Sequence, residues 1–156
     1  LMSELKPGDK APDFTLPGDG GEEISLSALN DGPVVVYFYP RDDTPGCTKE
    51  AIGFSEHIGE FETAGANVIG ISKDTPAKHD KFKAKHDLKV RLASDADGDV
   101  CERYGVWVEK TMYGRTSMGI ERATFLVKPG GEIAQVWRKV KVPGHVEAVL
   151  DAVKAL

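Results

Sequence analysis

Apolar positions change their period several times along the chain, and each change marks an element. Val34-Val35-Val36-Tyr37-Phe38-Tyr39 is an unbroken apolar run, the pattern of a strand buried on both faces. Asn67-Val-Ile-Gly-Ile-Ser72 reads as a second strand and Val90 to Ala93 as a third, shorter one. Between them the apolar residues spread toward helical spacing. One helix is predicted from Pro45 to about Ala64, with Ile52, Ser55, Ile58, Gly59 and Phe61 approximating a stripe and Gly65 ending it. A second runs from Thr75-Pro76 to about His86, with Thr as cap and Pro at the first helical position. Asp97 to Tyr104 reads as a third, short helix. Near the start, Phe14-Thr-Leu-Pro and Glu23-Ile-Ser-Leu flank the turn Gly18-Asp-Gly-Gly21, predicting two short strands, and Ser27 to Asn30 reads as one helical turn. Near the end, Ala123 to Val127 and Glu132 to Trp137 form a hairpin around Gly130-Gly131, and a helix starts at Pro143 with Val146, Val149, Leu150 and Val153 on one face.

The element order is therefore ββ, then β-α-β-α-β-α, then ββ-α. The alternating part demands a parallel sheet with helices on both faces, to which the terminal hairpin adds antiparallel strands. Repeats, low-complexity stretches and linkers are missing from the sequence. Its 156 residues suit one domain spanning 1–156.

Composition removes several function classes. With 20 basic and 25 acidic residues the net charge is −5, so nucleic acid is not an expected partner. The basic stretch from Lys78 to Lys89 is interrupted by aspartates and histidines and reads as a solvated helix face, His79 and His86 included. No apolar stretch approaches the roughly 20 residues that span a bilayer. The first residues lack the apolar core of a signal peptide, and Leu1 before Met2 reads as an added residue. Two cysteines, Cys47 and Cys101, are too few for a disulfide-stapled secreted domain. A cytoplasmic protein with one reactive cysteine is the simplest reading. No phosphate loop, metal-ligand set or Cys-x-x-Cys pair is present, and neither cofactor nor metal is expected.

The chemistry concentrates in Pro40-Arg-Asp-Asp-Thr44-Pro45-Gly46-Cys47-Thr48-Lys49-Glu50. Here a strand ends and a helix begins, so Cys47 sits among free helix N–H groups at the positive end of the dipole. A cysteine so placed is a candidate nucleophile. The alternative is a small buried hydrophobe. Turning an ordinary thiol mostly into thiolate at neutral pH takes about 3.4 kcal/mol, for a shift of roughly 2.5 units, and one helix end supplies about 0.3–2 kcal/mol. A nearby cation is required. No histidine lies close in sequence; Arg41 sits near the motif, and Arg122, taken alone, reads as an ordinary edge-strand arginine.

The motif resembles the active site of the peroxiredoxins, Pro-x-x-x-Thr/Ser-x-x-Cys, matched by Pro40, Thr44 and Cys47. The wider run looks like the peroxiredoxin Q branch, also called the bacterioferritin comigratory protein group. Gly8-Asp-Lys-Ala-Pro-Asp-Phe-Thr-Leu upstream and Ile120-Glu-Arg122-Ala-Thr124-Phe-Leu-Val-Lys-Pro-Gly-Gly downstream extend the match. The resemblance implies a thioredoxin-like α/β fold, a central mixed sheet flanked by helices with an N-terminal hairpin extension. It implies a thiol peroxidase for hydrogen peroxide and organic hydroperoxides, recycled by thioredoxin or a similar dithiol, and leaning monomeric. Cys47 would pass through a sulfenic acid. Thr44 would contact the peroxide, although a capping hydroxyl alone also explains a Thr-Pro helix start. Arg122 would approach thiolate and peroxide, Pro40 would shield the sulfur from water, and Glu50 would orient the arginine.

One position departs from the family. Many relatives place a resolving cysteine five residues beyond the reactive one, where this chain has Ile52. Cys101 is the remaining internal candidate, and its alternative is an inert packed thiol. A disulfide needs Cα atoms within about 7 Å, so joining Cys47 to Cys101 is expected to require local unfolding around both. Besides the peroxidase, a redox sensor without turnover, resolution by an external thiol and a cysteine hydrolase remain open.

Overall fold

The apolar run at residues 34–39 occupies the middle of the molecule because its alternate side chains serve two cores. Val34, Val36 and Phe38 belong to one buried cluster, and Val35, Tyr37 and Tyr39 to the other. This is the period-2 consequence of a strand with no solvent face. The computed structural model describes residues 4–156; the reading of Leu1 before Met2 lies outside them.

In chain order, Thr15–Pro17 (β1) and Glu23–Ser25 (β2) pair antiparallel around the single turn Asp19–Gly21, followed by Leu26–Leu29 (α1). Val34–Phe38 (β3) leads to Pro45–Glu56 (α2) and Ile58–Thr63 (α3). Asn67–Ser72 (β4), Pro76–His86 (α4), Arg91–Ser94 (β5) and Val100–Arg103 (α5) come next. Trp107–Met112 (β6) and Arg115–Ile120 (β7) form a separate hairpin. Ala123–Val127 (β8), Ile133–Trp137 (β9) and His145–Lys154 (α6) complete the chain. The sheet order is β5-β4-β3-β8-β9, with β3, β4 and β5 parallel and β8 and β9 antiparallel to their neighbours. This is the expected thioredoxin-like mixed sheet. The helices α2, α3, α4 and α6 bury Cys47, Phe54, Phe61, Phe82, Val149 and their neighbours on one face. The opposite face is covered by the N-terminal extension, the short α1 and α5, and the chain around Tyr104 and Val106. The extension straps that face: Lys10 bridges to Glu132 beside β9, and Gly18 bridges to Ala93 of β5.

Several expectations need correction. The helix predicted from Pro45 to about Ala64 breaks at His57, whose amide is shared between the carbonyls of Gly53 and Phe54 at 3.3 and 3.2 Å, as at a helix end. Its buried stripe is Cys47, Glu50, Ala51 and Phe54, offset from the predicted one because a cysteine and a glutamate hold core positions that hydrophobicity does not mark. The helix predicted from Asp97 is the four-residue Val100–Arg103, and the one predicted from Pro143 begins at His145 after Gly144, whose φ is 77°. The β6–β7 hairpin was not anticipated. Its turn, Tyr113-Gly114, has φ of 52° and 74°, the twist-matched hairpin geometry, but its strands are mostly exposed and polar, so no apolar alternation announces them. The α4 helix is not merely a solvated face: His79 and Phe82 are buried in it, and Lys83 reaches Asp19 at 2.7 Å.

Candidate active site

The β3 strand delivers the chain to Pro40, and residues 40–44 turn it into α2. Thr44 is extended (φ −93°, ψ 156°), Pro45 is the first helical residue, and Cys47 closes the first turn. The first hydrogen bond of the helix runs from the Thr48 amide to the Thr44 carbonyl at 2.8 Å. The earlier amides have no intrahelical partner and form the positive end of the helix. The Thr44 hydroxyl does not cap the helix. It donates to the Arg41 carbonyl at 2.9 Å, while Thr75, at the same dipeptide, caps α4 by accepting from the Lys78 amide. Capping therefore does not explain Thr44, and its hydroxyl oxygen keeps its lone pairs for a donor in the site.

The cation beside the sulfur is Arg122, which follows β7 in sequence. Its Nη2 donates to Cys47 Sγ at 3.4 Å and its Nη1 to Glu50 Oε1 at 2.7 Å. One planar fork thus joins the sulfur to a carboxylate three residues on along the same helix. Gly46 makes room for it, since a Cβ there would lie 3.1 Å from Arg122 Nη2. Arg41, the other candidate, is exposed. Cys47 is 1% exposed and Glu50 fully buried. Burial pushes the Glu50 carboxyl up to about 7 against the opposing pull of Arg122. Its Oε2 and the Tyr37 hydroxyl are the buried side-chain polar atoms without a hydrogen-bond partner among the described residues. Burial, then Glu50 and Cys47, raise the Tyr37 phenol well above its usual range. Burial and Arg122 lower His145 to about 4, so its ring is neutral and shares a 2.8 Å hydrogen bond with Thr124.

Pro40 is exposed and lines a cleft of about 560 Å³ with Trp107, Lys110, Met118 and Ile120 from the β6–β7 hairpin. Lys110 lies partly buried here, its ammonium held below its usual range by burial and by Arg122. The structure thus brings together Cys47, Arg122 and Glu50, with Thr44 and Pro40 at the two ends of the adjoining loop.

Cys101 is elsewhere. It packs in the cluster on the opposite face of the central sheet from Cys47, is 0% exposed, and is not bonded to Cys47. Burial and the Asp95 carboxylate push its thiol far above the ordinary range. Asp95 accepts from the amides of Val100 and Cys101 at 3.2 and 2.8 Å, and Lys73 lies 3.5 Å from it. The His79 ring, read from sequence as solvated, is buried beside Asp42 and Asp74. The ligand atoms of these three lie within 4.8 Å of one another, but Tyr39, Ser72 and the backbone of Asp42 and Ala93 already engage them. No sequence motif joins these residues. The one signal was a histidine in the third position after a Pro-started helix, where the first turn packs on the preceding strands.

A model of the AhpC/TSA family matches residues 7–136. The chain belongs to this family, in its peroxiredoxin Bcp or Q branch. It is 52% identical over 146 residues to a putative peroxiredoxin Bcp of Coxiella burnetii, covering 94% of this chain and 97% of that one. Identity to peroxiredoxin Bcp of Escherichia coli K12 is 43% over 153 residues, covering 98% of each. Among solved structures, Xanthomonas campestris bacterioferritin comigratory protein, described for its alkyl peroxide reduction activity, superposes with a TM-score of 0.88 at 43% identity, covering 97% and 96% of the two chains. A cysteine-to-serine variant of Xylella fastidiosa PrxQ gives a TM-score of 0.92 at 40% identity, covering 99% and 98%. Two X. campestris peroxiredoxin Q structures carry serine at one or the other of two cysteines; the same interval counted on from Cys47 here ends at Lys83.

Proposed function

We propose that this peroxiredoxin is a single-domain, monomeric, cytoplasmic thiol peroxidase for hydrogen peroxide and organic hydroperoxides, with Cys47 as its nucleophile. The observation that carries the reading is the Arg122 fork between Cys47 Sγ and Glu50 at the start of α2. The Cys47 thiolate attacks the terminal peroxide oxygen, the S–O bond forms as the O–O bond breaks, and water or alcohol leaves once its oxygen takes a proton. The product is a sulfenic acid. Arg122 and the first-turn amides are placed where negative charge shifts from sulfur to oxygen, in a site nearly closed to water. The Thr44 hydroxyl accepts from the peroxide, Pro40 limits water at the loop, and Glu50 orients the guanidinium.

A second thiol then condenses with the sulfenic acid, releasing water and leaving a disulfide that thioredoxin or a similar dithiol reduces. Cys101 is the internal candidate. It can reach Cys47 only if the first turn of α2 and the Val100–Arg103 turn both open, because the two thiols sit on opposite faces of the sheet. That separation favours a second reading, in which an external thiol attacks Cys47 directly. Oxidation with one equivalent of peroxide followed by mass measurement without reductant tests both. Loss of two hydrogens with a Cys47–Cys101 peptide pair supports Cys101. Gain of one oxygen on Cys47 supports the external thiol. A chain that leaves peroxide untouched overturns the peroxidase.

A further inference from the structure

The loop from Pro40 to Thr44 meets α2 through the Thr44 carbonyl, and the side chains and amide of Asp42 and Asp43 tie it to β4 and α4. The Asp42 amide donates to Asp74 Oδ2 at 2.8 Å, and Ser72 Oγ donates to the same oxygen at 2.7 Å. Asp42 Oδ1 accepts from the Tyr39 hydroxyl at 2.6 Å, and Asp42 Oδ2 lies 2.6 Å from His79 Nδ1. Asp43 has a φ of 60°, a left-handed conformation that costs an L-residue energy. Its carboxylate is tied to Lys85 at 2.7 Å and His86 at 2.8 Å, again from α4.

The proton count around His79 is unusual. Its Nε2 lies 3.1 Å from the Ala93 carbonyl, which can only accept, so Nε2 carries a proton. The short contact from Nδ1 to Asp42 Oδ2 then needs a second proton between them. A neutral imidazole beside a carboxylate has only one. The Tyr39 hydroxyl donating to the other oxygen of Asp42 favours carboxylate with imidazolium. His79 is 0% exposed, so this short contact is buried. Removing one partner strands the other.

We infer that the Asp42–His79 pair is a latch that holds the Pro40–Thr44 loop against α4, making His79 a positioning residue for the attack of Cys47 on peroxide. The inference rests on the peroxidase reading above. It makes α4 the element that decides where Thr44 stands relative to the sulfur, and opening of this loop would begin with loss of the latch. Replacing Asp42 by asparagine leaves every hydrogen bond makeable without charge. The amide oxygen accepts from Tyr39, the amide nitrogen donates to His79 Nδ1, and Nε2–H still donates to Ala93. Replacing His79 by leucine leaves Asp42 Oδ2 without its partner, with only the Tyr39 hydroxyl still donating to Oδ1.

The test compares His79→Leu, His79→Gln, Asp42→Asn and, as a control for general destabilisation, Val153→Ala on the buried face of α6. Rapid mixing with hydrogen peroxide gives the rate of Cys47 oxidation. A loop displaced by about 1 Å is expected to slow His79→Leu by roughly 10- to 100-fold. His79→Gln, which keeps one donor toward Asp42, is expected to fall between it and wild type, and Asp42→Asn to stay within about threefold of wild type. Proton–nitrogen NMR of the His79 ring should show both nitrogens protonated in wild type at neutral pH and only Nε2 in Asp42→Asn. His79→Leu and His79→Gln both reacting at the wild-type rate, or losing no more than Val153→Ala at equal loss of melting temperature, overturns the latch. So does a singly protonated ring in wild type. A wild-type chain inert to peroxide fails the peroxidase reading instead, and the ring spectrum still reports whether the pair exists.

Discussion

Gly46→Ala isolates the contribution of the arginine without touching any functional group. A methyl at residue 46 would sit 3.1 Å from Arg122 Nη2 and 3.8 Å from its Cζ. That is tight enough to push the guanidinium back by a few tenths of an ångström. The guanidinium now lies 3.4 Å from the Cys47 sulfur. Retreat by about 0.4 Å at an effective dielectric of about 20 removes about 0.5 kcal/mol of attraction, a factor of roughly two to three in rate. Poorer alignment of the fork raises the expected slowing of peroxide reduction to about three- to tenfold. Stability should move the other way, because alanine is a better helix residue than glycine by about 0.5–1 kcal/mol at most. The assay is rapid-mixing oxidation of reduced protein at several peroxide concentrations, paired with denaturant unfolding of the same sample. The decisive control is the double-mutant cycle with Arg122→Met, which alone should cost about 10²- to 10³-fold. In that background Gly46→Ala should slow the reaction no further. An equal slowing with and without the arginine would show that the methyl acts by obstructing peroxide. A Gly46→Ala enzyme as fast as wild type would refute the claim that the 3.4 Å approach matters.

Thr44→Val should slow peroxide reduction at least tenfold while costing less than about 1 kcal/mol of stability, since the hydroxyl does not cap α2; a cap-sized stability loss with normal activity would restore the capping role. The Glu50 carboxyl is raised from 4.5 to about 7 by burial, so its contribution to stability is fully present below about pH 4.5 and is lost as pH rises through about 7. Glu50→Gln should therefore flatten the fall in unfolding free energy between pH 5 and pH 9 by up to about 3 kcal/mol, measured by denaturant titration, and an unchanged slope would remove Glu50 as its source. Cys47→Ser should abolish peroxide consumption and Cys101→Ser should retain the first oxidation at the wild-type rate. In the reduced folded chain, iodoacetamide should modify Cys47 well before Cys101, and equal labelling would contradict the buried, protonated Cys101.

The strands and the reactive cysteine were legible because each is a local pattern. Residues 34–39 alternate between two cores, and six consecutive apolar, β-branched and aromatic residues are the local pattern of a strand with no solvent face. A Thr-Pro-Gly-Cys run after such a strand puts a thiol at a helix start whatever follows. The need for a cation could be calculated, but its identity came to the sequence reading through the family resemblance. What brings Arg122 to the sulfur is the antiparallel pairing of β8 with β3, which sets Ala123 opposite Phe38. The same dependence on distant pairing hid the rest. His79 read as solvated because helix periodicity is blind to a charge partner 37 residues away in the loop. The burial of Glu50 could not be read locally because only its distant partner makes it tolerable. The hairpin at residues 107–120 escaped because an exposed polar ribbon has no apolar period to read. Cys101 was placed on a separate helix from sequence, but only the path of the chain around the sheet put it on the opposite face from Cys47. Local sequence determined the thiol, the helix start and the strands of the central sheet, since those depend on neighbours within a few residues. The fork at the sulfur, the latch on its loop and the distance between the thiols were decided by tertiary structure, because each joins side chains that only strand order and helix packing bring into contact.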